Sequence, residues 1–450
     1  LKISKLNLEG SFQFLKKNLN QQFIKNVITV GFVSLLIKAL GFYKELVIAQ
    51  EFGLSELLDT FLIAILIPGF ISTVFLSSYK NVFIPNYISE LKQKGDISSF
   101  QTTSFLVTLS IGLFFILITY LFSDVYLETF FAGHTNSYYD LIKLQLHYIL
   151  PCLIFWAVSS LLTGLLNIDN EYFFASFGSL FMTISIIVCL LFFKEALKEK
   201  VLAVGMLIGS FLDFLFLLGI SIKRKIIHIG TPDFKSKNIR ILIKQVPAKI
   251  SSSLINGLNP IVDQYFSAQL VVGSIAALSY GLKIPAFIIG LIGIALGNVL
   301  LPYFSSQAVE NYQKTYKLLQ KMLLYNFIGC TLLALGLILF SEPIVSLVYE
   351  RNAFKPDDTQ IVYRVQQMYL LQIPFYVMGM IMNRYLTAIN KNNFLVVTST
   401  ISLLLNIILN YILIRAMGLY GLALGTSIVS LTNTVVIYFY INRINKLQHV

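Results

Sequence analysis

The sequence predicts an all-α, polytopic membrane protein with about twelve transmembrane helices arranged as two parallel six-helix repeats. Three observations lead there. Of 450 residues, 56% are hydrophobic and only 12% charged, and the mean hydropathy of +0.76 lies far from that of a soluble domain. Apolar runs of about 20 residues, enough to cross the hydrocarbon core as a helix, recur along the whole chain between short polar breaks. Landmarks of the first half return in the second at a nearly constant spacing.

Each run is read as a helix because backbone facing lipid must satisfy its own hydrogen bonds. The first half gives spans at 26–49, 57–85, 101–122, 141–166, 173–193 and 201–222. The second gives 243–269, 275–303, 318–340, 363–388, 394–414 and 418–441. Residues 1–25 hold Lys and Asn but no short apolar core with a small-residue cleavage site, so they are expected to form a cytoplasmic segment, with an amphipathic surface helix, rather than a signal peptide. A first lobe then occupies 26–222, a basic cytoplasmic linker 223–241 and a second lobe 242–450.

The net charge of +12 does not point to nucleic acid, because the basic residues gather in alternate connections. Lys16, Lys17 and Lys25 precede the first span; Lys92 and Lys94 follow the second; Lys223, Arg224, Lys225, Lys235, Lys237 and Arg240 follow the sixth; Arg443 and Lys446 end the chain. Short loops rich in Lys and Arg stay in the cytoplasm, so with an even number of spans both termini belong there. Lys194, Lys198 and Lys200 go against that rule. Cys152, Cys189 and Cys330 lie in apolar runs and read as small core residues.

The duplication is visible in punctuation. Pro68 and Pro85 return as Pro285 and Pro302, 217 residues on; Phe122-Ser123-Asp124 returns as Phe340-Ser341-Glu342, 218 on; Pro151 and Asn167 return as Pro374 and Asn390, 223 on. Each unit has an even number of helices, so both copies insert the same way up. Such folds place the substrate between the halves and work by rocking one against the other.

Charges inside apolar runs are costly and mark function by default. Lys38 and Lys44 lie in the first span with Gly41 and Glu45. Six residues leave the two lysines about 120° apart and about 9 Å different in depth. Either Gly41 lets the helix bend, or the stems swing, or Lys44 belongs to the outer mouth and pairs with Glu45 or Asp59; snorkelling is the alternative to substrate contact. Lys283 has Leu66 at its repeat position, so the cation is not a packing requirement of the fold; it reads as a substrate contact or an inter-helix ion pair. Asp59 opens the second span and holds a lysine or reports an ion. Asp213 and Asp263 are candidates for a coupling cation or for balancing a lysine. No P-loop pattern is present and the histidines are dispersed, so neither a cofactor nor a metal is expected. Energy must come from a coupling cation, the membrane potential or the substrate gradient.

The segment Leu40-Gly41-Phe42-Tyr43-Lys44-Glu45, with Ala49-Gln50, Phe52-Gly53, Asp59, Pro68 and Phe83-Ile84-Pro85, resembles the opening of the MurJ/MviN lipid II flippases, which reads Arg-x-x-Gly-Phe-x-Arg-[Asp/Glu], Ala-Arg, Phe-Gly, Asp-[Ala]-Phe, Pro-Asn and Phe-Val-Pro. Tyr280 to Pro302, Leu165-Leu166-Asn167 with Asn170 and Phe173, and Arg351-Asn352-Ala353-Phe354 with Asp358 are similar to further blocks of that family. The resemblance implies the fold of the superfamily that also holds polysaccharide flippases and MATE-type multidrug exporters. It sets Lys38, Lys44 and Lys283 where those flippases have essential arginines, and Asp59 on their acidic position. Ser72 and Ser77 stand where they have a further arginine and a glutamate, and twelve spans are read against their usual fourteen.

The function this implies is a flippase, not an enzyme, that moves an undecaprenyl-diphosphate-linked saccharide, lipid II or a related surface-polysaccharide precursor, across the bacterial cytoplasmic membrane. Its partners would be that substrate, membrane lipids and envelope-synthesis enzymes. A cation-coupled multidrug exporter is the alternative; it calls for carboxylates in the cavity, where lysines outnumber Asp213 and Asp263.

Overall fold

A computed structural model describes residues 21–447, and within them the side chains of all but residues 21–30, 32, 256, 294, 295, 297–299, 302, 308–310 and 447. Their backbone is helical apart from short connections, with no strand among the described residues. The expected surface helix falls on residues 1–25, of which 1–20 lie outside the described residues.

The first half holds the long helices α1 (Gln21–Phe52), α2 (Glu56–Lys92), α3 (Ile97–Leu121), α4 (Asn136–Ile168), α5 (Ser179–Leu197) and α6 (Val201–Lys223). The second holds α7 (Lys237–Ser267), α8 (Ser274–Glu310), α9 (Tyr312–Leu339), α10 (Ile373–Ala388), α11 (Asn393–Met417) and α12 (Leu419–Leu447). Eight stretches among the described residues are long and apolar enough to cross a membrane, one of them, Tyr172–Lys223, doubling back between α5 and α6. The other spans read from the sequence fall on α1, on α7, and, for 363–388, on two helices, Pro356–Leu370 and α10, with a break at 371–372. Two short helices, Ser123–Phe130 and Ser341–Tyr349, fill connections that the hydropathy pattern leaves blank.

Helix starts follow side-chain chemistry. Ser55, Asp96, Ser236 and Asn311 each accept the backbone N–H three residues on, satisfying one of the donors that a helix start leaves open. Pro68 lies within α2 and is followed by a π-helical turn at Ser72–Leu76. There the Ser77 hydroxyl donates to the Ser72 carbonyl at 3.1 Å. Beside that turn Gly257 of α7 packs against Val74 and Phe70 with no room for a Cβ, so α2 and α7 cross closely.

The same backbone recurs in the two halves. Phe122 (φ −105°, ψ 10°) and Phe340 (φ −101°, ψ 16°) end α3 and α9 alike. Lys198 (φ 47°, ψ −124°) and Gly418 (φ 56°, ψ −131°) make the same turn after α5 and α11. After α4 and α10, Asn170 (φ 63°) matches Asn390 (φ 58°), and Glu171 N donates to Leu166 O at 2.8 Å as Lys391 N does to Leu386 O at 2.9 Å. Asn390 therefore corresponds to Asn170, not to Asn167. The left-handed residue closing a helix must be one that tolerates positive φ, and asparagine does.

The apolar core is divided unevenly. One buried cluster spans both halves at the end carrying Phe52, Phe131 and Phe354, joining Ala49, Phe61 and Leu127 to Ala276, Tyr280 and Tyr349. It is termed the outer end after the side on which the charge bias is expected to place it. Toward the other end the halves have separate clusters, one around Leu161, Leu165 and Phe83 and one around Phe304, Leu323 and Tyr385. Lys194, an exception to the charge rule, is held at the outer end of α5 by Glu51 of α1 at 2.7 Å.

The linker is shorter than the expected 223–241, since α6 runs to Lys223 and α7 starts at Lys237. It is strapped to the start of α3. Gln101 donates to Ile226 O (2.9 Å) and accepts from His228 N (2.8 Å), Thr102 accepts from Gly230 N (3.0 Å), and Thr103 from Asp233 N (2.8 Å). Gln101 is buried, so Gln101→Ala leaves the His228 N–H unpaired and the Ile226 carbonyl with the His228 ring as its remaining partner, a loss of about 1–3 kcal/mol. Limited trypsin digestion in detergent is expected to cut after Lys225 and Lys235 about five times faster in that variant, as local opening becomes easier.

Candidate functional site

The site starts from α1. Its outer third presents Lys44 and Glu45 in succession, and α8 brings Lys283 to the same place. Glu45 Oε1 lies 3.0 Å from Lys44 Nζ, and its Oε2 lies 3.1 Å from Lys283 Nζ. One carboxylate thus bridges two ammonium groups from the two halves. All three side chains are partly buried. Among the alternatives open from the sequence, Lys44 takes Glu45 rather than Asp59, and Lys283 makes an inter-helix ion pair. Glu45 is the residue that sequence reasoning left out of the site. Its signal was present, as an acid beside a lysine within an apolar run, but it read as a local partner.

Lys38 lies deeper on the same helix. Its ammonium rests against α8 at Gly290, where a Cβ would stand 2.5 Å from Nζ and 3.2 Å from Cε. The missing side chain at 290 is what makes room for the lysine. Among the described residues Lys38 enters no ion pair. One turn of α8 outward from Lys283, Tyr280 packs with Tyr349 (ring centroids 5.3 Å) and Phe354 (5.7 Å). The hydroxyls of Tyr280 and Tyr349 are buried without a protein partner. The lysines therefore sit below an aromatic plug that belongs to the shared outer core.

Asp59 stands elsewhere. It is 2% exposed, and its oxygens accept from the backbone N–H groups of Gly273 (2.6 Å) and Ala276 (2.7 Å). It caps α8 from the other half of the molecule, where the helix dipole and the open N–H groups favour an anion. Both oxygens are taken, and no ion pair joins Asp59 to a lysine among the described residues, so the expectation that it holds a lysine is corrected. Gly273 has φ +93°, and a Cβ there would come within 2.8 Å of Leu54 O, so this close approach needs glycine. Gln50 O accepts from Ala353 N at 3.0 Å and His134 Nε2 donates to Ala268 O at 2.9 Å. These contacts, with the Phe130–Tyr265 ring pair at 6.3 Å, seal the outer end between the halves.

Toward the inner end α2 and α7 are also joined. Ser78 Oγ and Ser253 Oγ are 2.9 Å apart, Asn86 donates to Gln245 at 2.8 Å, and Asn238 bonds to Glu90. This seam is therefore joined from the Gly257 crossing to the inner end.

The two candidate coupling carboxylates differ. Asp213 of α6 lies against Gly178, within the first half. Asp263 of α7 faces α11, where Asn406 and Asn410 donate to its Oδ1 at 3.1 and 2.8 Å, and Asn410 also donates to Asn406 Oδ1 at 3.1 Å. Asn410 is fully buried and its Oδ1 has no protein partner. As placed, both amides turn their N–H groups to the carboxylate; turned over, their oxygens and the carboxylate would make the donor set of a hard cation. The spacing Asn406-x-x-x-Asn410, one face of a helix in an apolar run, is a signal that sequence reasoning passed over. No group of three or more His, Cys, Asp or Glu side chains is placed to hold a metal among the described residues.

Residues 48–449 match the family model described as lipid II flippase MurJ. A probable lipid II flippase MurJ of Buchnera aphidicola subsp. Schizaphis graminum is 27% identical over 424 residues, covering 92% of this chain and 82% of that protein. One of Vibrio cholerae is 26% identical over 439 residues, covering 93% and 83%. Among solved structures, a lipid II flippase MurJ in an inward closed conformation superposes with a TM-score of 0.81 at 25% identity, covering 92% of this chain and 87% of that one. An inward-facing MATE transporter reaches 0.74 at 14% identity, covering 92% and 95%, a likeness of fold alone. With the match running from the end of α1 to the end of α12, the chain belongs to the MurJ lipid II flippase family.

Proposed function

We propose that the protein flips lipid II, or a related undecaprenyl-diphosphate-linked saccharide, across the bacterial cytoplasmic membrane by alternating access, with both termini in the cytoplasm. The observation that carries this is the Glu45 bridge between Lys44 and Lys283, with Lys38 left without a counter-ion deeper in the same seam. Three cations face one carboxylate, and a diphosphate restores the balance. Glu45 holds the place of the substrate's phosphates while the site is empty. When a diphosphate arrives, it takes the ammonium groups from Glu45 and draws α1 and α8 together. Rocking then follows from the difference in affinity between the two states. Lysine supplies charge without the planar fork of arginine, so the grip is electrostatic rather than bidentate. Because α2 and α7 are joined from the Gly257 crossing to the inner end, the lipid tail passes on the side of α1 and α8, where all three lysines lie. Asp59 serves as part of the outer closure, and Asp263 with Asn406 and Asn410 takes a coupling cation.

In liposomes with fluorescent lipid II, Lys38→Ala and Lys283→Ala are each expected to slow flipping at least tenfold, a loss of about 1.4 kcal/mol. Normal rates in both, at normal membrane levels, rule out this site. Gly290→Ala crowds the Lys38 ammonium and is expected to slow flipping about threefold or more, with Lys44 and Lys283 untouched.

Glu45→Gln removes the internal competitor. It is expected to bind the diphosphate headgroup more tightly and yet flip more slowly, because release costs more; equal affinity in variant and parent defeats the exchange. For the cation, Asp263→Asn is expected to abolish any gain in rate from an imposed sodium or proton gradient, whereas Asp213→Asn keeps it. A gradient response unchanged in Asp263→Asn removes the cation from this site.

A further inference from the structure

We propose that the segment joining the two halves, residues 224–236, is a docking strap for the anionic surface of the bilayer. Its position comes from α3. That helix turns Leu113, Phe114 and Leu117 outward, so it stands on the lipid-facing perimeter. At 25 residues it is about 37 Å long, against about 30 Å of hydrocarbon, so its ends reach the headgroups. The hydrogen bonds from Gln101, Thr102 and Thr103 pin the strap across the first turns of this helix, and so at headgroup level.

Pinned there, the strap turns its apolar side chains away from the protein. Ile226 is buried against the bundle, but Ile229 is 84% exposed and Phe234 52% exposed. A large aliphatic and an aromatic side chain at an interface insert between headgroups. The charge around them is complementary to anionic lipid. Arg224 is occupied by Glu171 at 2.6 Å, and the Asp233 carboxylate accepts the backbone N–H of Lys235. Lys223, Lys225, Lys235 and Lys237 enter no ion pair among the described residues. Four free ammonium groups flanking two exposed apolar side chains fit a surface that is negative outside and apolar beneath. A folded protein partner would require a shaped recess, whereas the strap is extended and held flat by its own backbone bonds.

The test uses the full-length protein. Ile229→Cys is labelled with an environment-sensitive fluorophore, since Cys152, Cys189 and Cys330 are buried. The labelled protein is placed in nanodiscs of phosphatidylcholine alone or with roughly a third phosphatidylglycerol. Quenching by a headgroup nitroxide lipid is expected to be about threefold stronger with phosphatidylglycerol, and to fall back at about 1 M salt as charges are screened. Adding Lys223→Gln, Lys225→Gln and Lys235→Gln is expected to return it to the phosphatidylcholine level. Equal quenching in the two lipid mixtures, whether from a strap in water or one covered by protein, overturns the proposal.

Discussion

A single carboxylate shared by two ammonium groups, one from each half of the molecule, is the constraint on which the rest of this structure turns. Buried ion pairs of this kind add little net stability, because taking the charges out of water costs about as much as their attraction returns. Removing either partner is another matter, since it strands a charge in a poor solvent. A site that is nearly neutral in energy when paired and costly when broken is suited to exchange. Glu45 can leave its lysines only for something that replaces it, as the proposed anionic headgroup would.

The remainder of the fold holds that exchange in place. The Asp59 cap fixes the start of α8 across the interface, so Lys283, about two and a half turns further on, is carried by a helix whose end is tied to the opposite half. Gly290 leaves the space that Lys38 fills. The close crossing of α2 and α7 at Gly257, and the side-chain bonds toward its inner end, tie that seam together. Under the proposed exchange, movement falls on the side where the charges are.

Much of this was legible in the sequence. Apolar runs, prolines and basic connections gave the helices and the duplicated plan, because a bilayer allows few other solutions. The three lysines were visible because an ammonium group within an apolar run needs a reason. The failures are equally physical. Asp59 was misassigned because its partners are backbone N–H groups of a helix more than 200 residues away, which leave no mark in residue types. Glu45 was underrated because its second partner, Lys283, is a tertiary fact. Asp213 and Asp263 looked alike as lone acids in apolar helices. What separates them is Asn406 and Asn410, whose helical spacing was readable but whose distance from Asp263 was not.

The uneven core has a thermal consequence. Both halves share one apolar cluster at the outer end and keep separate ones further in, so the step that parts the outer end wets nonpolar surface that the opposite step leaves dry. Such wetting raises the heat capacity. The barrier to that step therefore changes with temperature, and no single activation energy will describe turnover in a cell that grows across a wide thermal range.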